Sequence, residues 1–147
     1  MKFPSAVREN PVFLNLSNSQ IESLEAMAVD RVYEGGDVLV RQFDRQSDLM
    51  VILHGHVCIK TFSGETISEL GPGGVFGEVS LVDEAPRSAT VSAKGSVTVA
   101  VIPSEKLRKL LDGDLGLKAL VMQNISRVLC ARLRASNVHL DAAVHKI

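Results

Sequence analysis

Between Val29 and Pro103 the chain reads as a succession of short apolar runs, each closed by glycine, and no helix-length segment separates them. The runs are Val38-Leu39-Val40, Leu49 to Leu53, Val57 to Phe62, Thr66 to Leu70, Ala89 to Ala93 and Val97 to Ile102. Turn signals fall between them at Gly35-Gly36, Gly55, Ser63-Gly64, Gly71-Pro72-Gly73-Gly74 and Lys94-Gly95. A parallel α/β sheet needs a crossover helix between successive strands, and this segment has no room for one, so the pattern predicts an antiparallel β sandwich or jelly roll (double-stranded β-helix).

Helical periodicity flanks the roll on both sides. Ser17-Asn18-Ser19-Gln20 has the spacing of a capping box, and Ile21, Leu24, Met27 and Ala28 follow at helical intervals; Pro11-Val12-Phe13-Leu14 reads as an apolar turn docked on that helix. After Pro103, Ser104 is the expected N-cap of a helix through Leu107, Leu110 and Leu111 that stops near Gly113. A longer helix is expected from Leu115 to Ala135. Its apolar residues, Leu117, Leu120, Val121, Ile125, Val128, Leu129 and Leu133, form an arc wider than one core contact needs. The predicted organisation is one domain over residues 1–135, with helical segment 11–28, β roll 29–103 and helices 104–135, followed by a tail at 136–147. In that tail Val138, Leu140, Val144 and Ile147 either extend the helix or fray as a terminus.

The 147 residues suit a single domain that buries roughly two-thirds of its unfolded surface. A formal net charge of −1 and the lack of a dense Lys/Arg run argue against nucleic acid as a partner. The first residues run from Met1-Lys2-Phe3-Pro4-Ser5 to Arg8 and Glu9 without an apolar signal core, and no run of about 18 apolar residues follows. The reading is a soluble, cytoplasmic segment without a membrane span. Cys58 and Cys130 lie in apolar stretches without metal-ligand spacing and read as buried, reduced thiols.

The chemistry concentrates in Phe76-Gly77-Glu78-Val79-Ser80-Leu81-Val82-Asp83-Glu84-Ala85-Pro86-Arg87-Ser88-Ala89-Thr90-Val91. An ionised Glu78 only accepts hydrogen bonds, which suits sugar hydroxyls, whereas Arg87 presents a planar fork of donors suited to a phosphate. Gly77 permits close backbone approach, and the donors of Ser88 and Ala89 can complete a small anion nest. Together they suit a phosphorylated sugar.

This stretch resembles the phosphate-binding cassette of the cyclic nucleotide-binding domains found in catabolite activator proteins, protein kinase A regulatory subunits and cyclic nucleotide-gated channels. The resemblance covers about Pro11 to Ala135, with supporting matches at Tyr33-Glu34-Gly35-Gly36-Asp37-Val38-Leu39 and Leu53-His54-Gly55-His56-Val57. It implies that Glu78 binds the ribose 2′-hydroxyl, that Arg87 binds the cyclic phosphate, and that the Gly77, Ser88 and Ala89 backbone adds further bonds. The implied ligand set is Phe76, Gly77, Glu78, Val79, Ser80, Arg87, Ser88, Ala89 and Val91. The final helix is implied to close as a lid over the base, with Leu129, Arg132 and Leu133 as lid candidates. Arg132 either stacks on the base or snorkels to solvent, and Asn124 either faces the ligand or pairs across an interface. Two departures are Ser80, often Ala in the family, and Arg41-Gln42-Phe43-Asp44, where many members have glycine before the acidic residue. Within the family that the cassette resembles, small residues after the arginine accompany cAMP and Thr accompanies cGMP; Ser88 is intermediate and has the hydroxyl, and the reading leans towards cAMP. No helix-turn-helix fits beyond Ala135, which leaves the output to an effector protein, a missing output domain, or a homodimer through the C-terminal helix.

Other chemistries are weaker. His54-x-His56 resembles part of a cupin metal site, but the remaining histidines, His139 and His145, fall in the tail and Glu65 in a turn. Neither Ser80 nor Ser88 sits in a nucleophile-elbow sequence. The expectation is therefore a ligand-binding regulatory domain without catalytic residues, metal or cofactor. The competing expectations are a non-binding interaction module of the same fold and a cupin-like metalloenzyme.

Overall fold

The computed structural model describes residues 2–61 and 63–145, excluding the side chains at 139, 140 and 142–145. Six strands form one wholly antiparallel sheet: β1 (Val29–Tyr33), β2 (Val38–Val40), β3 (Leu49–Lys60), β4 (Thr66–Leu70), β5 (Val75–Phe76) and β6 (Thr90–Ile102). β6 pairs with β1, β2 and β3, and β3 pairs also with β4 and β5, so two long strands carry the roll. The predicted mainly β, jelly-roll architecture with flanking helices is what forms.

Four of the expected runs merge into two strands. Leu49–Leu53 and Val57–Phe62 are one strand, and Ala89–Ala93 and Val97–Ile102 are another. Phe62 lies outside the described residues. The glycines at 55 and 95 bend these strands instead of reversing them: the β3–β6 register shifts on both sides of His54, between Ile52 and His56. A Cβ at Gly55 would lie 2.2 Å from the Ser96 carbonyl oxygen, so the two backbones meet at a bulge where no side chain fits.

Strand alternation divides these two strands between two cores. Met50, Ile52, Val99 and Val101 point into the roll with Leu39, Val40, Val57, Phe76, Val91 and Val97. Leu49, Val51, Ala100 and Ile102 point the other way, onto the helices. The uninterrupted apolar run at 49–53 follows from burial of both faces.

On the outer core α2 (Asn18–Met27) begins with the predicted capping box: Ser17 Oγ accepts from the Gln20 amide at 3.1 Å, and Gln20 Oε1 accepts from the Ser17 amide at 2.8 Å. A short helix, α1 (Ser5–Arg8), and a 3-10 turn at Pro11–Phe13 precede it and bury Phe3, Val7, Val12 and Phe13. Glu25, almost fully buried on α2, accepts a hydrogen bond from the Phe3 amide and pairs with Arg8 at 3.5 Å. Sequence reading had not found α1, because four residues are too few to show a period.

α4 (Ser104–Gly113) and α5 (Leu115–His145) complete the outer core through Leu107, Leu111, Leu117, Val121 and Ile125. Two expectations need correction. Ser104 does not cap α4; Pro103 holds the N-cap position, and the Ser104 amide donates to Asp48 Oδ1 at 2.9 Å instead. The last helix does not end at Ala135 but continues to His145, since 136–145 contains neither proline nor glycine to stop it. Val138 on this extension is exposed; the side chains of Leu140 and Val144, and Ile147 itself, lie outside the described residues.

Candidate cyclic nucleotide site

The cassette, expected as a loop, contains a short helix, α3 (Glu78–Asp83). Gly77 precedes it at φ +93°, the left-handed region open to glycine at little cost. Its location leaves no alternative residue: a Cβ there would lie 2.6 Å from both Arg87 Nη1 and the Asp48 carbonyl oxygen. Leu81, buried on the far side of α3, anchors the cassette in the outer core with α4 and α5.

Glu78 and Arg87 are both buried, at 2 % and 4 % exposure, so neither is a solvated surface charge. Nor do they neutralise each other. Arg87 donates from Nη2 to the Asp48 carbonyl at 2.7 Å and from Nη1 to the Gly77 carbonyl at 3.3 Å, while its buried Nε has no hydrogen-bond partner. Its backbone is clamped as well, its amide donating to the Asp44 carbonyl at 2.7 Å and its carbonyl accepting from the Phe43 amide at 2.8 Å. The Arg41–Asp44 loop thus keeps its positioning task despite Phe43 adopting φ +74°. Burial lowers the Arg87 pKa from its ordinary value, and the carboxylates of Asp48, Glu78 and Asp44, in that order, work against the shift. The guanidinium is thus held by two carbonyls in a largely desolvated cavity, with the carboxylates of Asp48, Glu78 and Asp44 close enough to stabilise its charge.

Glu78 is paired instead with Arg132 from α5, whose Nη1 lies 2.5 Å from Oε1. The approach is an ion contact rather than a well-directed hydrogen bond, since Oε1 is buried without hydrogen-bond geometry to any donor. Arg132 is half exposed, at 51 % of its side chain.

All nine residues of the expected ligand set, Phe76, Gly77, Glu78, Val79, Ser80, Arg87, Ser88, Ala89 and Val91, line one cavity of about 90 Å³. Val40 and Ile59 from the facing strands also line it, and sequence reading missed them. They carry no signal beyond strand hydrophobicity, so only the roll's curvature reveals them. Of the lid candidates Arg132 alone reaches this cavity. Leu129 packs against the outer core, and Leu133 is 62 % exposed. Asn124 plays neither anticipated role: buried at 1 % exposure, it donates from Nδ2 to the carbonyls of Val12 and Leu14 at 3.0 and 2.8 Å, pinning the 3-10 turn to α5. A second, larger groove of about 310 Å³ runs between that turn and α5, lined by Pro11, Leu14, Asn124, Arg127, Val128, Ala131 and Arg132. Its walls are apolar, and the carboxylate–guanidinium chemistry resides in the smaller cavity.

His54 and His56 are exposed on β3, the latter with its ring against Gly71, and the side chains of His139 and His145 lie outside the described residues. Among the described residues no group of three or more His, Cys, Asp and Glu side chains is placed to hold a metal. Cys58 is half-buried and Cys130 exposed, so the expectation of two buried thiols fails at Cys130, which faces outward on α5. No described helix is long and apolar enough to cross a membrane.

A buried carboxylate and a buried guanidinium, set by a left-handed glycine at one end of an antiparallel roll, define a binding domain for a small anionic sugar derivative. The cyclic nucleotide-binding domain model matches residues 30–114, and the chain belongs to that family. It is 31% identical over 142 residues to the cyclic AMP receptor protein of Thermus thermophilus, covering 92% of this chain and 62% of that one. It is 27% identical over 146 residues to the cAMP-dependent protein kinase regulatory subunit of Schizosaccharomyces pombe, covering 99% of this chain and 34% of that one. The chain thus spans about a third to three-fifths of these relatives. A solved cyclic nucleotide-binding domain from Methylobacillus flagellatus superimposes with a TM-score of 0.78 at 27% identity, covering 92% of this chain and 80% of that one.

Proposed function

We propose that this domain is a sensor for a purine 3′,5′-cyclic nucleotide, cAMP in preference to cGMP, and that binding is reported by movement of α5. One observation carries the reading: Glu78 and Arg87 are both buried, line the same cavity, and are held by groups other than each other. In this reading Arg87 receives the cyclic phosphate, a charge-assisted contact contributing on the order of 1.5–3 kcal/mol. Glu78 accepts from the ribose 2′-hydroxyl, the amides of Ser88 and Ala89 complete the phosphate site, and Val40 and Ile59 offer the base an apolar wall. The names of the Thermus and Schizosaccharomyces relatives favour cAMP.

The output passes through α5 to an effector protein, to a further domain, or to a second copy of the chain. The exposed Leu133 and Val138 on the outer part of α5 support such a contact. The domain acts by binding rather than by catalysis.

Calorimetric titration of refolded, nucleotide-stripped protein with cAMP and then cGMP tests the proposal. The expected result is micromolar or tighter binding, at least about 8 kcal/mol. Arg87→Ala should weaken it by about 2–5 kcal/mol, because the phosphate is then buried without a counter-charge. Failure of both nucleotides to bind would instead favour a non-binding interaction module of the same fold.

A further inference from the structure

We propose that the groove between the 3-10 turn and α5 is a second ligand site, one that takes a small amphipathic anion, a free acyl carboxylate of medium chain length. It is distinct from the cassette cavity, and the two share only Arg132 in their walls. At about 310 Å³ the groove falls within the roughly 300–1,000 Å³ range of small-molecule sites.

The walls of the groove are already set. Asn124 donates to the carbonyls of Val12 and Leu14 at 3.0 and 2.8 Å, which locks the turn against α5. Asn10 caps the turn, accepting from the Val12 amide at 2.9 Å, and donates from Nδ2 to the Gly73 carbonyl at 3.0 Å, which ties the turn to the roll as well. Pro11, at the start of the turn, has a fixed φ of its own. A groove pinned in this way takes a ligand without first ordering its walls, and preorganised sites gain affinity by avoiding that cost.

Its charge has one sign. At about 100° per residue, Asn124, Val128 and Ala131 form a single stripe along α5, with Arg127 on one flank and Arg132 on the other. Across from them Pro11 and Leu14 add apolar surface, and Leu14 is 46 % exposed. No carboxylate is among the described residues that line the groove. Arg132 is paired with Glu78 of the cassette. Arg127 is exposed, and its guanidinium forms neither an ion pair nor a side-chain hydrogen bond with any described residue. An apolar trough with an uncompensated cation at its edge fits a molecule that joins an apolar body to one negative charge. The body covers Leu14, Val128 and Ala131, and the head meets Arg127, whose planar fork of donors matches a carboxylate. The stripe from Asn124 to Ala131 is about 10 Å long at 1.5 Å per residue, which suits a medium-length chain rather than the longer tails of a membrane lipid.

Calorimetric titration with sodium decanoate, kept below its micelle concentration, tests the site, and decyltrimethylammonium serves as the cation of equal chain length. Decanoate should bind the parent at least about tenfold more tightly than the ammonium does, because both flanking side chains are cationic. Arg127→Gln maintains helix propensity; it should weaken decanoate at least about fivefold and leave the ammonium no weaker. Ala131→Trp, at an exposed helix position, fills the groove and should weaken decanoate at least about tenfold. Arg87→Ala should bind decanoate as the parent does. Equal affinity for the two amphiphiles would mean apolar adsorption without charge recognition, and unchanged decanoate binding by Arg127→Gln or Ala131→Trp would place the acid elsewhere; each overturns the proposal. Loss of decanoate binding in Arg87→Ala would put the acid in the cassette cavity and overturn it too. So would failure of the parent to bind decanoate; if the parent then sediments as a dimer that Ala131→Trp dissociates, the groove belongs to a second copy of the chain. The cyclic nucleotide titration is read separately, so none of these outcomes alters the sensor reading.

Discussion

Substituting Gly77 by alanine tests whether the cassette is as rigid as its geometry implies. At φ +93° an alanine costs about 1–2 kcal/mol over glycine. Its Cβ would also lie 2.6 Å from the Asp48 carbonyl oxygen and 2.6 Å from Arg87 Nη1. One of these atoms is main chain at the start of β3 and the other belongs to a buried side chain held by two carbonyls. Neither moves cheaply, and forcing a well-packed site apart adds about 1–3 kcal/mol. The total is about 2–5 kcal/mol, which at about 3 °C per kcal/mol lowers the melting temperature by about 6–15 °C. Gly36 is the matched control: its φ is +89°, but a Cβ there meets nothing within 4 Å, so Gly36→Ala incurs the conformational cost alone and falls by about 3–6 °C. Differential scanning calorimetry on both variants isolates the steric part. Cyclic AMP affinity should drop at least about tenfold, or 1.4 kcal/mol, in Gly77→Ala and stay unchanged in Gly36→Ala. Equal melting temperatures for the two variants would refute the reasoning, for they would mean that Asp48 and Arg87 shift freely.

Two further outcomes concern the frame around the site. Asn124→Ala leaves the Val12 and Leu14 carbonyls without their donor and should cost about 1–3 kcal/mol in urea unfolding; Asn124→Asp should cost more, because it sets a carboxylate against two carbonyl oxygens, and the reverse order would contradict the assigned amide orientation. Ser17→Ala removes one half of the reciprocal cap on α2 and should cost about 0.5–2 kcal/mol with cAMP affinity unchanged, which paired urea melts and titrations can check.

The residues legible in advance were those whose chemistry has a local pattern. The cassette from Phe76 to Val91 is contiguous, so its nine lining residues were recognisable as a set. The Ser17–Gln20 cap was legible for the same reason, as its reciprocal bonds span three residues. Gly55 and Gly95 were misread as turns because a bulge and a reversal both demand glycine, and only the pairing of β3 with β6 distinguishes them. Asn124 looked like a ligand or interface residue because it falls on an apolar arc, yet its partners lie 110 and 112 positions away at the 3-10 turn. The wide arc itself was explained by Val12 and Leu14 as much as by any lid.

The sequence by itself determined an antiparallel β core between helices, through period and turn chemistry, and singled out Glu78 and Arg87 as the candidate acidic and basic site residues, through a short contiguous motif. Such signals are local, and local signals survive in one dimension. Tertiary structure alone decided that Glu78 and Arg87 are both buried, that Val40 and Ile59 line the cavity with them, and that Arg132 reaches Glu78 from 54 residues further along the chain. These depend on which surfaces meet when the roll curls and α5 packs across it, and burial sets the strength of every charge interaction in the site.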